Sequence, residues 1–343
     1  PAAEPRAVST LALGANALQG PWGLALDERG DVKRLYVADA AAQVIRRVDL
    51  TEPPSTSIVA GAVREAGTAD GPGDQARFKR PTDLVLDAEG RLLVVDGGRL
   101  VVSQGGRQIV ADDSAATIRR LTFDATGAAT VETLAGQAGA GGRVPAAIGA
   151  QAGNGVPAAE VLLGGVSGVT VDAAGDIWFA DGLSHVVRRI RMGAAGRPVE
   201  TVLGTGIGDR LEGPVASAAF LMPVGVAFEP DGAAVVLSKT NGVVRRVPPP
   251  FDATSRTRLI AGGVTSLVRP PDGYWASAWF TEPRAIARDA RGRFVVPEQG
   301  AHRVRLVHPD GWVSTLAGSG VAGAADGVGA AAAFDRPVSV AIG

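Results

Sequence analysis

A chain of 343 residues with 34 basic and 35 acidic side chains has a formal net charge of -1, which leaves no global field to draw nucleic acid or an anionic membrane surface. It contains no cysteine, so disulfides, thiolate metal sites and a thiol nucleophile are excluded, and no apolar run reaches the roughly eighteen residues of a membrane span. Its 47 glycines and 22 prolines are scattered rather than clustered, which suits many short strands joined by tight turns and predicts one continuous all-β domain over residues 1–343.

The chain opens PAAEPRAVST, which lacks a basic n-region and an apolar h-region and reads as a processed start, in keeping with an exported protein. The Ala-rich composition, with lysine only at Lys33, Lys79 and Lys239, fits a bacterial source of high GC content. AVSTLALG, ending at Gly14, reads as a strand. At Pro21 a unit begins that recurs at intervals of roughly 40 to 60 residues, the mark of stacked supersecondary units. Its opening proline returns as Pro81, Pro223, Pro283 and Pro337, with Val166 in the same slot.

Six residues into each unit stands an acid, Asp27, Asp87, Asp172, Glu229 or Asp289, followed three residues on by glycine. An acceptor for backbone N–H groups followed by a residue tolerant of positive φ makes a tight turn, so these acids are turn formers before they are metal ligands. The second strand ends in Asp39, Asp96, Asp181, Ser238 and Glu298, and the third carries Arg46, Arg119, Arg188, Arg245 and Arg305. That spacing predicts a cross-strand acid–arginine pair repeated through the fold. Fourth strands close at Gly61, Gly136, Gly204, Gly262 and Gly318. Before the next unit come an acid–glycine step (Asp70, Glu212, Asp272, Asp326) and a phenylalanine (Phe78, Phe220, Phe280, Phe334), the latter expected to plug the seam between neighbouring sheets.

The composite pattern, AG…DG…F..P.GV..D..G.LYVAD…RIRRV, resembles the NHL repeat and covers the chain from Val8 to Gly343. The name-giving Asn-His position is held by Ser184-His185 and Ala301-His302, but by Ala42-Gln43 and Asn241-Gly242 elsewhere, which argues against a repeated histidine function. The resemblance implies a six-bladed β-propeller. Blades are expected at about 20–61, 76–136, 161–204, 218–262 and 278–318, with an incomplete sixth blade shared by 7–14 and 332–343. The alternative is five full blades plus extra terminal strands.

Function on a repeat scaffold sits where the repeat is broken. In propellers the fourth-to-first and second-to-third strand loops share one face, the upper face. Blade two inserts about sixteen residues after Asp96, with Leu100 to Ser103 and Gln108 to Val110 read as a protruding hairpin. The loop from Gln137 to Glu160 is longer than its siblings. Tyr274, Trp275 and Trp279 crowd one interblade loop and offer aromatic faces to a sugar or peptide, although tryptophan also fills seams. The channel mouth is expected to be lined by Trp22, Thr82, Asp83, Ser167, Val224, Arg284 and Val338, with Asp83 in blade two and Arg284-Ala285 in blade five where the siblings keep Gly23, Gly168 and Gly225. A carboxylate and a guanidinium there would fix a polar ligand, or pair with each other.

The chemistry of an enzyme is harder to assemble. Only His185, His302 and His308 are available, and His308 falls in a turn on the opposite face, so a three-histidine zinc site does not form by spacing. No G-x-S-x-G elbow and no phosphate loop in strand-to-helix context is present. Asp83 with neighbouring carbonyls remains a candidate calcium site. The sequence therefore predicts a noncatalytic binding propeller, monomeric and periplasmic or extracellular, that presents its upper face to a protein, peptide or glycan. Its candidate ligand-binding residues are Trp22, Thr82, Asp83, Ser167, Arg284, Tyr274, Trp275, His185 and His302. No cofactor is expected, with Ca or Zn the cations to consider. The alternative is a divalent-cation-dependent lyase or lactonase-like hydrolase at the channel mouth, the chemistry that similar propellers imply.

Overall fold

The computed structural model describes residues 6–13, 18–97, 100–104, 107–112, 116–137, 153–209, 211–263, 272–274 and 277–343. The chain divides into two compact units, one from Leu13 to Val202 and the other from Leu203 to Gly343 together with Pro1–Ala12.

Strand β1 (Ala7–Val8) belongs to the second unit; the sheets of the first begin with β2 (Pro21–Asp27), β3 (Arg34–Asp39), β4 (Val44–Asp49) and β5 (Ser55–Ala60), an antiparallel blade in sequence order. Blade two comprises β7 (Pro81–Leu86), β8 (Leu92–Gly97), β11 (Ala116–Phe123) and β12 (Ala129–Ala135), edged by β6 (Gly71–Pro72). Between β8 and β11 the inserted hairpin forms a separate ribbon, β9 (Leu100–Gln104) with β10 (Arg107–Asp112). Blade three is β13 (Val166–Val171), β14 (Ile177–Asp181), β15 (Val186–Ile190) and β16 (Val199–Leu203). Two buried clusters lie in this unit: Phe78, Leu84, Ile45 and Val94 pack between blades one and two, and Val95, Ile118, Val169 and Phe179 between blades two and three.

The second unit holds blade four, β17 (Pro223–Phe228), β18 (Ala234–Ser238), β19 (Val243–Val247) and β20 (Arg258–Ala261). Blade five is β22 (Ala287–Arg288), β23 (Phe294–Glu298), β24 (Arg303–Val307) and β25 (Trp312–Ala317), edged by β21 (Gly273–Tyr274). Phe280 sits in the cluster between them with Val235, Leu237 and Val296. The final strand, β26 (Gly327–Val328), pairs with β1.

The fold is thus an all-β propeller with five four-stranded blades among the described residues, and the expected six-bladed ring is corrected. Of the segments assigned to a sixth blade, Ala7–Val8 pairs with Gly327–Val328 instead, and residues 332–343 form no strand. PVSVAIG lies beside no strand that bonds to it among the described residues, so its backbone closes no ladder. The five-blade alternative, with extra terminal strands, describes what forms.

The repeat glycines are explained by backbone geometry. Gly61, Gly136, Gly204, Gly262 and Gly318 all adopt positive φ, from 83° to 106°, where the fourth strand ends. At Gly262 a Cβ would stand 1.9 Å from the carbonyl oxygen of Gly242, whereas at Gly175, also at positive φ, it would meet nothing. Gly262→Ala is therefore expected to cost more than about 3 kcal/mol and Gly175→Ala only about 1 kcal/mol, as read by chemical denaturation. The hairpin position that drifts among glutamine, histidine and glycine has its own explanation. Gln43, His185, Gly242 and His302 share φ between 53° and 61°, so the left-handed backbone is what repeats there.

Candidate binding site

Each blade has two distinct ends. At one, the Asp-x-x-Gly turn is fastened by its own carboxylate: Asp172 accepts the amides of Ala174 and Asp176, and Asp289 those of Arg291 and Arg293. Asp27 and Asp87 do the same for Arg29 and Arg91 and also pair with those guanidinium groups. At the other, here the hairpin end, the residue opening the first strand faces the residue closing the second, as in Pro21 opposite Asp39 and Pro81 opposite Asp96.

The acid–arginine pairs run deeper than a surface hairpin pair. Arg119 and Arg305 are 1% exposed, and each is clamped from four sides. Arg305 Nη1 donates to Glu298 Oε2 at 3.0 Å and to the Trp279 carbonyl at 3.3 Å, Nη2 reaches Asp272 at 3.1 Å, and the guanidinium lies 5.7 Å from the Phe280 ring. Arg119 stands 3.6 Å from Asp96 and 2.6 Å from Asp70, donates to the Arg77 carbonyl and lies 4.6 Å over Phe78. The arginine therefore bolts its own hairpin to the acid–glycine step and the seam phenylalanine. Arg46 and Arg188 pair with Asp39 at 2.9 Å and Asp181 at 3.1 Å. Burial pushes the carboxyls of Asp96 and Glu298 upward, against the pull of loop amides and arginine.

In the first unit the innermost strands β2, β7 and β13 lie side by side and bring Trp22, Thr82, Asp83 and Ser167 onto adjacent strands. Close approach is possible because Gly23 has no side chain: a Cβ there would sit 2.7 Å from Asp83 Cα. Asp83, in the slot siblings give to glycine, sends its carboxylate across to the Val169 amide at 2.9 Å and also accepts the Leu84 amide. Burial pushes its pKa up from 3.8 to about 7, with those two amides pulling the other way. Trp22 and Thr82 are half-buried, and Ser167 is exposed with its hydroxyl donating to the Gly165 carbonyl at 3.2 Å. Of the histidines, His185 is half-buried and held below its ordinary pKa by burial.

In the second unit Arg284 is half-buried, donates to Gln299 Oε1 at 2.6 Å, and is held below its ordinary pKa by burial. Lys239, at the tip of the blade-four hairpin, is lowered by burial and then by the nearby Arg284. His302 accepts the Arg336 amide at Nδ1, 3.1 Å away. Tyr274 does not take the expected place at a mouth on the upper face. It is 56% exposed on the outer edge strand β21, opposite Trp312, with the two rings edge to face at 5.0 Å. Trp312 follows the turn at 308–311, so Tyr274 lies toward the end away from the blade-five hairpin. The acid–glycine loop dips along the outside of the sheet before returning to Phe280, and this displaces the tyrosine. Trp275 lies outside the described residues. No group of three or more His, Cys, Asp or Glu side chains is placed to hold a metal among the described residues.

What sequence reading passed over is the blade-four hairpin. Ser238 was legible as the exception to the acid that ends every other second strand. Nothing in the sequence marked Asn241 as buried beside it.

These features define a β-propeller with a hairpin end that departs from its own repeat. No family model matches the chain, and no curated protein matches it. Among solved structures it is similar to an auxiliary nutrient binding protein from Bacteroides thetaiotaomicron, with 14% identity and a TM-score of 0.61 over 94% of this chain and 64% of that one. An auxiliary nutrient binding protein from Bacteroides ovatus gives 16% identity and a TM-score of 0.61 over the same shares. A PQQ-bound aldose sugar dehydrogenase from Streptomyces coelicolor gives 13% identity and a TM-score of 0.51 over 99% of this chain and 89% of that one. The chain spans less than two thirds of the length of the two nutrient binding proteins. At these identities the likeness is one of fold. It extends to binding proteins and to an enzyme alike.

Proposed function

We propose that this chain is an NHL-type propeller that works as an extracytoplasmic, monomeric binding module, presenting the hairpin end of its blades to a protein, peptide or glycan. The observation that carries this reading is the contrast between the two blade ends. One repeats the same carboxylate-fastened turn, while the other carries the added β9–β10 ribbon and the Asp83 substitution in the first unit and, in the second, the Lys239 and Arg284 cations. Loops freed from the repeat on a rigid scaffold are where recognition evolves. The fold shared with nutrient binding proteins lends support.

Screening the chain on glycan and peptide arrays, with residues 100–112 replaced by a two-residue turn as the comparison, tests the proposal. Binding that weakens in the shortened variant supports it; no ligand in either class, or equal binding by both, sinks it. Tyr274→Ala is expected to leave that binding unchanged, since the ring lies on the outer edge of blade five.

A second reading, a cation-dependent lyase or lactonase-like hydrolase, is favoured by one observation. Asp83 is a carboxylate on an innermost strand that titrates near neutrality, as catalytic carboxylates are tuned to do. Metal analysis of protein purified without chelator decides it: stoichiometric Ca or Zn that is lost in Asp83→Ala supports this reading, and metal-free protein overturns it.

A further inference from the structure

Four of the five blades end their second strand in a buried carboxylate, Asp39, Asp96, Asp181 or Glu298, each no more than 4% exposed. In three of them that carboxylate also accepts amides of the loop leading to the opening proline. Asp39 takes those of Gln19 and Gly20, Asp96 those of Lys79 and Arg80, and Glu298 that of Thr281. It thus neutralises a buried arginine and fastens the incoming loop at once.

Blade four keeps the arginine and changes the acid. Arg245 is 2% exposed, donates to the Ala219 carbonyl at 2.6 Å and lies 5.4 Å from the Phe220 ring, as Arg119 and Arg305 lie by theirs. Its acid–glycine carboxylate, Glu212, stands 4.0 Å away and is largely exposed. In the slot of the buried acid is Ser238, 1% exposed, whose hydroxyl makes no hydrogen bond among the described residues. Three residues on, Asn241 is 3% exposed, and neither polar atom of its amide has a partner among the described residues. The matching positions of blades one and five hold Ala42 and Ala301, so the fold does not need an amide there.

A hydroxyl and a carboxamide withdrawn from water without hydrogen bonds cost several kcal/mol in sum, of order 1–3 kcal/mol for each group, so such a pair in a native fold calls for a bound water, ion or ligand. The charge of the surroundings fixes the sign of that ligand. Arg245 lies beneath the hairpin with no buried acid opposite it, and Lys239 on the hairpin itself feels the charge of Arg284, with Glu282 acting on both in the other direction.

We propose that the hairpin end of blade four binds a small carboxylate anion, formate or acetate in size, held by Ser238, Asn241 and Arg245 where the sibling blades place their own side-chain carboxylate. A planar carboxylate matches the guanidinium fork with its two oxygens and accepts from the serine hydroxyl and the asparagine NH2.

Titration of the chain with sodium formate at constant ionic strength in sodium chloride, followed by calorimetry and by thermal unfolding, tests the proposal. Saturable binding with a rising Tm is expected in the unmodified chain. Ser238→Asp supplies the carboxylate internally, as four sibling blades do, and is expected to raise Tm without formate and to abolish the formate response. Asn241→Ala, a residue two siblings carry, is expected to weaken formate binding by about tenfold or more while leaving the fold intact. Absence of saturable binding, an equal response in all three proteins, or a chloride response equal to that of formate overturns the assignment.

Discussion

Asp83→Asn is expected to make the protein more stable at pH 8, by at most about 4 kcal/mol because the side chain is half-buried, and to leave it unchanged near pH 4, the difference opening steadily between. The folded-state pKa of Asp83 is raised from 3.8 to about 7 by burial, a gap equivalent to about 4 kcal/mol. Below the ordinary carboxylate range the group is protonated in both folded and unfolded chains and costs nothing. As pH rises from about 4 to 7 the unfolded chain ionises while the folded one holds its proton, so stability falls. Above 7 both are ionised and the folded state bears the full desolvation cost. Asparagine can still accept the Val169 amide that now bonds to the carboxylate at 2.9 Å. Urea unfolding of both proteins from pH 4 to 8 measures the difference directly, which cancels the opposite slope of turn acids such as Asp27 and Asp289, whose pKa values are lowered. Parallel profiles would mean that the carboxylate is already charged in the fold, the behaviour a bound cation would impose.

The second large effect separates two arginines that look alike in the sequence. Arg119→Met should destabilise the protein by about 3–5 kcal/mol, because it strands the buried Asp96 without its cation. Arg245→Met, in formate-free buffer, should cost only about 1–2 kcal/mol, the loss of the donor to the Ala219 carbonyl, because Ser238 leaves no buried charge behind and Glu212 can turn to water. Methionine retains the packing against Phe78 or Phe220 in both cases. Equal losses, measured by guanidinium chloride denaturation, would show that the arginines act by packing rather than by neutralising a buried acid.

Much of the architecture was readable from residue order because a propeller blade is a local object. Its four strands are consecutive, its turns need glycine or an acid at set places, and its seam needs one large ring. Phe78, Phe220 and Phe280 are buried where those demands put them. The acid–arginine spacing was legible too. Its depth was not, since nothing in a hairpin tells whether a neighbouring loop will cover it.

Three features were decided only in three dimensions. The termini form the short β1–β26 pair rather than a sixth blade, a matter of which backbone finds a partner. Tyr274 lies on the outer edge of blade five because its loop doubles back along β25. Asp83 and Asn241 owe their character to burial by strands and loops distant in sequence. A repeat determines the hydrogen-bonding pattern within each blade, because those contacts span few residues. The environment of a single carboxylate or amide depends on every chain segment that removes water from it, and only the packed structure supplies that.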